Sequence, residues 1–287
     1  MASGFPYPLV PTQWLAGDLG APDLRVIDAS WRMPGNPPAI EDHRRRRIPG
    51  AVHFDLDLIA DRTSDLPHML PSPAQFAAAV GALGVAADDR VVIYDDAGIF
   101  SAPRVWWTFR AMGHERVSVL DGGLPKWLRE GRPVESGEAS PAAVSYRLGR
   151  LRPLARTHHD VRAALAARSA AVIDARPAAR FGASAPEPRP GLRRGAMPGA
   201  RNLPYTEMIA ADGTLKPLAE LRALFAAAGA APGAEVIATC GSGVTAAALA
   251  LALEAIGAPA VGLYDGSWAE WGREANEPAM FPVEPPA

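Results

Sequence analysis

The sequence predicts an α/β chain made of two tandem copies of one domain, each a parallel sheet covered by helices on both faces. Three observations carry that expectation. Short apolar, β-branched runs alternate with helical patterns along the chain, the pattern of a parallel sheet between helices. The chain also repeats itself: residues 91–130 set over 235–274, at a constant offset of 144, give 11 identities in 40 positions without a gap. Finally, 287 residues suit about two domains of the usual 100–200 residues.

Each copy shows the same succession of elements. A strand ends in aspartate (Val26-Ile27-Asp28; Val172-Ile173-Asp174), and an Ile/Met-Pro-Gly-Ala turn leads to a second short strand. An alanine-rich helix follows, Pro73 to Leu83 and Leu218 to Ala228. Next come the strand Val91–Tyr94 or Glu235–Ala238, a loop, a helix, the strand Val117–Leu120 or Ala260–Tyr264, and an Asp-Gly turn. The Pro-, Gly- and Ser-containing stretch between the copies reads as a linker. The expected limits are 8–131 and 157–274 for the domains, 132–156 for the linker and 275–287 for a tail.

Composition excludes several function classes. A net charge of −2 with both signs mixed gives the chain no electrostatic reason to seek nucleic acid or an anionic membrane. The basic run His43-Arg44-Arg45-Arg46-Arg47 is the local exception, and reads as a solvated loop or docking spot. The apolar stretch Val244 to Leu253 is about half a membrane span, and the first residues lack the basic and apolar regions of a secretory leader. A cytoplasmic protein is the expectation. The single cysteine allows neither an internal disulfide nor a multi-cysteine metal site.

That cysteine, Cys240, stands just past the strand Glu235–Ala238, where open α/β sheets place their ligands. Gly241-Ser242-Gly243 lets the backbone curl its amides into a nest for negative charge, and a helix expected from Val244 aims its positive end at the same point. Such a ring favours a thiolate, a persulfide or an oxyanion. A lone cysteine is commonly a small buried hydrophobe, but that reading leaves the Gly-Ser-Gly unexplained, as it does Asp96 at the matching position of the first copy. Cys-based phosphatases carry an arginine six residues after the cysteine; here that residue is Ala246, and the loop has no cation.

These residues give the chain a resemblance to a known family. Two tandem copies, a cysteine only in the second, and Cys240-Gly241-Ser242-Gly243-Val244-Thr245 resemble the rhodanese superfamily of sulfurtransferases over nearly the whole chain. Asp265-Gly266-Ser267-Trp268, Trp271 and the SAPRVWW stretch at 101–107 are similar to family segments as well. The loop resembles that of 3-mercaptopyruvate sulfurtransferases; thiosulfate-preferring members carry Arg and Lys where this chain has Gly241 and Ser242.

The resemblance implies a ping-pong reaction in which Cys240 becomes a persulfide and pyruvate leaves. It implies Arg180 and Arg189 as the pair that grips the substrate carboxylate; Arg176, in Ala-Val-Ile-Asp-Ala-Arg, is a candidate structural arginine instead. It also implies a Ser242–His68–Asp57 set for proton transfer, and amides of Gly241, Gly243, Val244 and Thr245 on the transferred sulfur. The implied partners are a small-molecule sulfur donor and a thiol, thioredoxin-like or cyanide acceptor; no cofactor or metal is needed. The alternatives are a thiosulfate:cyanide sulfurtransferase, a non-catalytic rhodanese-like binding module, and a redox sensor, which would lack a resolving thiol within the chain. His158 and His159 receive no role.

Overall fold

The computed structural model describes residues 4–231, 233–258 and 261–284. Ala260, the expected start of one strand, and the last three residues of the expected tail lie outside the described residues. The chain divides into two compact units. The first holds the residues up to Arg62, Leu70–Arg152 and Ile209–Leu215; the second holds Thr63–Met69, Pro153–Met208 and the chain from Lys216 onward. Each unit therefore includes a short segment that lies, in chain order, in the other repeat.

The first unit runs β1 (Leu9–Val10), α1 (Thr12–Asp18), β2 (Leu24–Asp28), α2 (Ala39–Arg45), β3 (Ala51–His53), α3 (Pro73–Ala82), β4 (Arg90–Tyr94), α4 (Ala102–Ala111), β5 (Val117–Leu120) and α5 (Gly123–Arg129). The second runs β6 (Ala155–Arg156), α6 (His158–Ala167), β7 (Ala170–Asp174), α7 (Ala178–Phe181), β8 (Arg201–Asn202), a 3₁₀ turn (Tyr205–Met208), α8 (Leu218–Ala227), β9 (Glu235–Thr239), α9 (Ala246–Ala255), β10 (Val261–Tyr264) and α10 (Ser267–Trp271). Both sheets have five strands, in the matching orders β1-β5-β4-β2-β3 and β6-β10-β9-β7-β8, with every pairing parallel. The predicted α/β class is what forms.

The local chemistry explains the elements. Ser72 and Gln75 form a reciprocal capping box at the start of α3, with proline in its first turn, and Thr157 with Asp160 does the same for α6. These arrangements satisfy amides that a helix start leaves open. Helices α3 and α8 each stop one residue before the expected end, within the ordinary fraying of a last turn. Helix α9 is buried from Ala246 through Leu253, so its Ala/Leu run is apolar all round, as a helix buried on every side must be. Val26, Val92, Leu120 and Trp127 anchor one core; Val172, Ile237, Tyr264, Trp268 and Trp271 anchor the other.

The basic run is not the solvated loop expected of it. It closes α2, where cations complement the negative end of the helix dipole, and both His43 and Arg47 are buried. His43 Nδ1 lies 2.9 Å from Asp28 Oδ2. Arg47 Nε donates to Glu135 at 3.0 Å, and Arg44 pairs with Glu138 at 2.7 Å. The run holds residues 135–138 against α2 through Arg44 and Arg47, while Arg44, Arg45 and Arg46 stay exposed.

Candidate active site

Strand β9 is central in its sheet and ends at Thr239. Cys240 follows at the carboxyl end, 2% exposed and with a free thiol. The backbone then turns through Gly243 at φ +79°, a conformation that glycine adopts without steric cost. Helix α9 begins at Ala246, two residues later than expected. The reason lies in the bonding: Ala247 N donates to Val244 O at 3.3 Å and Ala248 N to Thr245 O at 3.1 Å, so 244 and 245 form a tighter 3₁₀-like entry.

The repeat supplies an internal control for this loop. In the first copy the loop after β4 folds around its own anion, the carboxylate of Asp95. Asp95 Oδ1 accepts from Ala97 N at 3.0 Å, and Oδ2 accepts from Phe100, Ser101 and Ala102 N at 2.8, 2.9 and 2.8 Å. Burial pushes the pKa of Asp95 up, and these amides oppose the rise. The next residue, Asp96, stands where the second copy has Cys240, and its carboxylate is held by Arg32, with Nη1 at 2.9 Å. In the second copy position 239 is threonine, whose hydroxyl donates to Ser267 Oγ at 3.4 Å. The internal carboxylate of the first loop therefore has no counterpart in the cysteine loop.

His68 comes to the loop as expected: its Nδ1 lies 3.1 Å from Ser242 Oγ. Both residues are buried, and His68 holds φ at +59°, a conformation uncommon outside glycine and concentrated at functional sites. Asp57 belongs to the first unit, where it accepts from Trp31 Nε1 at 2.9 Å.

The arginine cluster has a member that sequence reasoning missed. Arg180 sits over the loop: a side chain at position 241 would meet its Nη2 at 2.9 Å, so Gly241 makes the room. Arg180 Nε donates to Glu187 Oε2 at 3.0 Å, and Nη2 bonds the same oxygen. The other oxygen of Glu187 takes Arg176 Nη1 at 2.7 Å. Arg176 is fully buried on Asp174, Glu187 and the Gly195 carbonyl, with its guanidinium 4.1 Å from the centre of the Trp268 ring. Burial works against its charge, and the two carboxylates outweigh burial, so its pKa is raised. The Arg176 guanidinium is thus committed to two carboxylates, a carbonyl and a ring. Arg189 is half-buried in the same Pro-rich loop. Glu187 stood in plain view between two prolines, but only its contacts show that it bridges two arginines.

A cavity of about 640 Å³ lies elsewhere, in the first unit, lined by Ser30, Arg32, Asp42, His43 and Asp96 among others. Arg32 and Arg45 are paired there with Asp42 and Asp96, and no nucleophilic thiol is present. The chemistry points to Cys240.

Comparison with known proteins gives the family. Residues 11–130 and 157–274 each match the rhodanese-like domain family. A 3-mercaptopyruvate sulfurtransferase of Escherichia coli (strain K12) is 44% identical over 278 residues, covering 96% of this chain and 97% of the relative. A thiosulfate sulfurtransferase of Cricetulus griseus is 43% identical over 275 residues, covering 93% and 92%. The crystal structure of SseA from Escherichia coli, described as a rhodanese fold, superposes with a TM-score of 0.81 at 42% identity over 92% of this chain and 99% of that one.

Proposed function

The chain belongs to the rhodanese-like domain family as a tandem, two-copy member, and we propose that it is a sulfurtransferase using 3-mercaptopyruvate through a persulfide on Cys240. The observation that carries this reading is the contrast between the loops: one copy fills its amide nest with Asp95, while the other puts Thr239 there and a buried thiol beside it.

The reaction follows from these groups. The Cys240 thiolate attacks the sulfur of 3-mercaptopyruvate, an S–S bond forms, and the C–S bond breaks with its electron pair going to the carbon side. Pyruvate enolate leaves and takes a proton, for which the Ser242–His68 pair is the nearby relay. Asp57 completes that set on the family pattern alone. Arg180 and Arg189 take the substrate carboxylate, Arg180 through the part of its fork that Glu187 does not hold. The amides of Gly241, Gly243, Val244 and Thr245 receive the outer sulfur. An incoming nucleophile then attacks that outer sulfur, the S–S electron pair returns to Cys240 as thiolate, and the sulfur leaves on the acceptor; the thiolate of a thioredoxin-like dithiol or small thiol, or cyanide, fits this step.

Among the described residues no helix is long and apolar enough to cross a membrane, and a cytoplasmic site of action remains our reading from the sequence. The domain limits stay as proposed, 8–131 and 157–274 with 132–156 between them and a tail at 275–287.

The second reading, thiosulfate as donor, is favoured by the Cricetulus griseus relative at 43% identity. Pyruvate formation from 3-mercaptopyruvate beside thiocyanate formation from thiosulfate and cyanide, each with Cys240→Ser as control, separates the two. Absence of turnover with both donors in folded protein favours a binding module instead.

A further inference from the structure

We infer that Ser267 is a positioning residue for Cys240, holding the peptide that carries the thiol; this rests on the proposed role of Cys240 as nucleophile. Ser267 is buried and adopts φ +50°. A residue with a side chain pays sterically for that conformation, and glycine does not. The matching residue of the first copy, at the offset of 144, is Gly123 at φ +52°. The φ at this one position is alike in both copies, although the preceding glycine differs (Gly122 φ +84°, Gly266 φ −64°), and the second copy gives up the unstrained residue.

What the serine adds is a grip on the cysteine peptide. Its Oγ accepts from Cys240 N at 3.3 Å while donating to Tyr264 O at 2.8 Å. The turn it shapes presents Trp268 N to Cys240 O at 2.9 Å and Ala269 N to Gly241 O at 2.8 Å. The N–H and C=O of Cys240 are thus both held by one three-residue turn, Ser267 to Ala269.

The first copy does none of this. Leu124 N, the counterpart of Trp268 N, bonds Asp95 O at 3.0 Å, one residue short of the cysteine position. Pro125, the counterpart of Ala269, has no N–H to give. A Cβ on Gly123 would come within 2.6 Å of the Asp95 and Gly98 carbonyl oxygens, so no serine fits there. Two substitutions between the copies, Gly to Ser and Pro to Ala, accompany a one-residue shift of the turn's grip onto the reactive position. A role in packing alone would be met by glycine, which suits the backbone better.

The test uses the full chain with Ser267→Gly and Ser267→Ala. Glycine relieves the strained φ and alanine keeps it, so the glycine variant melts above the alanine variant, by about 2–4 °C. Both lack the hydroxyl, so both lose about tenfold in kcat for pyruvate release, with KM for 3-mercaptopyruvate within about twofold of wild type. Amide hydrogen exchange at Cys240 speeds up in both. Full kcat in Ser267→Gly, or a loss that follows the melting temperatures, overturns the assignment. An inactive wild-type chain with either donor refutes the sulfurtransferase reading itself, a result distinguishable from an active wild type with an equally active Ser267→Gly.

Discussion

The Nδ1 of His68 and the Oγ of Ser242 lie 3.1 Å apart, a contact that joins a residue from the first repeat's sequence to the cysteine loop within one structural unit. If the pair moves the proton needed by the enolate, the two residues act as one device. His68→Ala and Ser242→Ala then each lower kcat for 3-mercaptopyruvate by about 100-fold, at the low end for general acid–base catalysis. The double variant falls little further. Additive losses, measured by the pyruvate burst, would separate the two residues.

Arg180 is shared between Glu187 and the space over Gly241. Arg180→Ala is expected to raise KM for 3-mercaptopyruvate about tenfold or more, through loss of a charge-assisted carboxylate contact. Thiosulfate, which has no carboxylate, is hit less. Comparing the KM changes for the two donors checks this.

Asp95 holds the first loop together from inside. Asp95→Ala leaves four amides without their acceptor, those of Ser101 and Ala102 buried, at about 1–3 kcal/mol for each buried group left unmet. Urea unfolding is expected to show a loss of several kcal/mol. Thr239→Ala, at the matching site, removes one long hydrogen bond and costs about 1 kcal/mol. A reversed order would contradict the internal-anion account.

Asp121 gives the stability a pH signature. Burial raises its carboxyl from 3.8 to about 6, against a hydrogen bond from Leu215 N at 2.9 Å. A raised acid pKa means that the folded chain binds the proton more tightly, so stability falls as pH climbs from about 4 to about 6 and the full penalty stands above that. The penalty is at most about 3 kcal/mol at 1.36 kcal/mol per unit, less with residual solvent contact. Asp121→Asn keeps an acceptor for Leu215 N and removes the charge. Its gain over wild type is expected to be near zero below pH 4 and largest above pH 6.5, read from urea midpoints across that range.

Much of this was legible beforehand because strands and loops leave local marks. The β-branched runs ending in Asp28 and Asp174 became β2 and β7, and the gap-free repeat announced two matching sheets. Cys240 was legible from the Gly-Ser-Gly behind it. What stayed hidden depends on contacts between distant residues. Asp95 reads as any strand-end acid until four amides are seen on it, and Glu187 reads as a loop charge until two arginines converge on it. The helix start at Ala246 was misread because Val244 and Thr245 fit a 3₁₀ entry as well as an α-helical one. Ser267 left a trace in the repeat itself, a serine where the other copy has glycine, and its meaning needed the backbone angle.

Transfer of the sulfur onto Cys240 is read by intact-protein mass spectrometry after brief exposure to 3-mercaptopyruvate. The expected result is a gain of one sulfur atom mapped to Cys240, with one pyruvate released per chain and neither event in Cys240→Ser. An unmodified Cys240 in folded chain, or pyruvate released equally by Cys240→Ser, would contradict it.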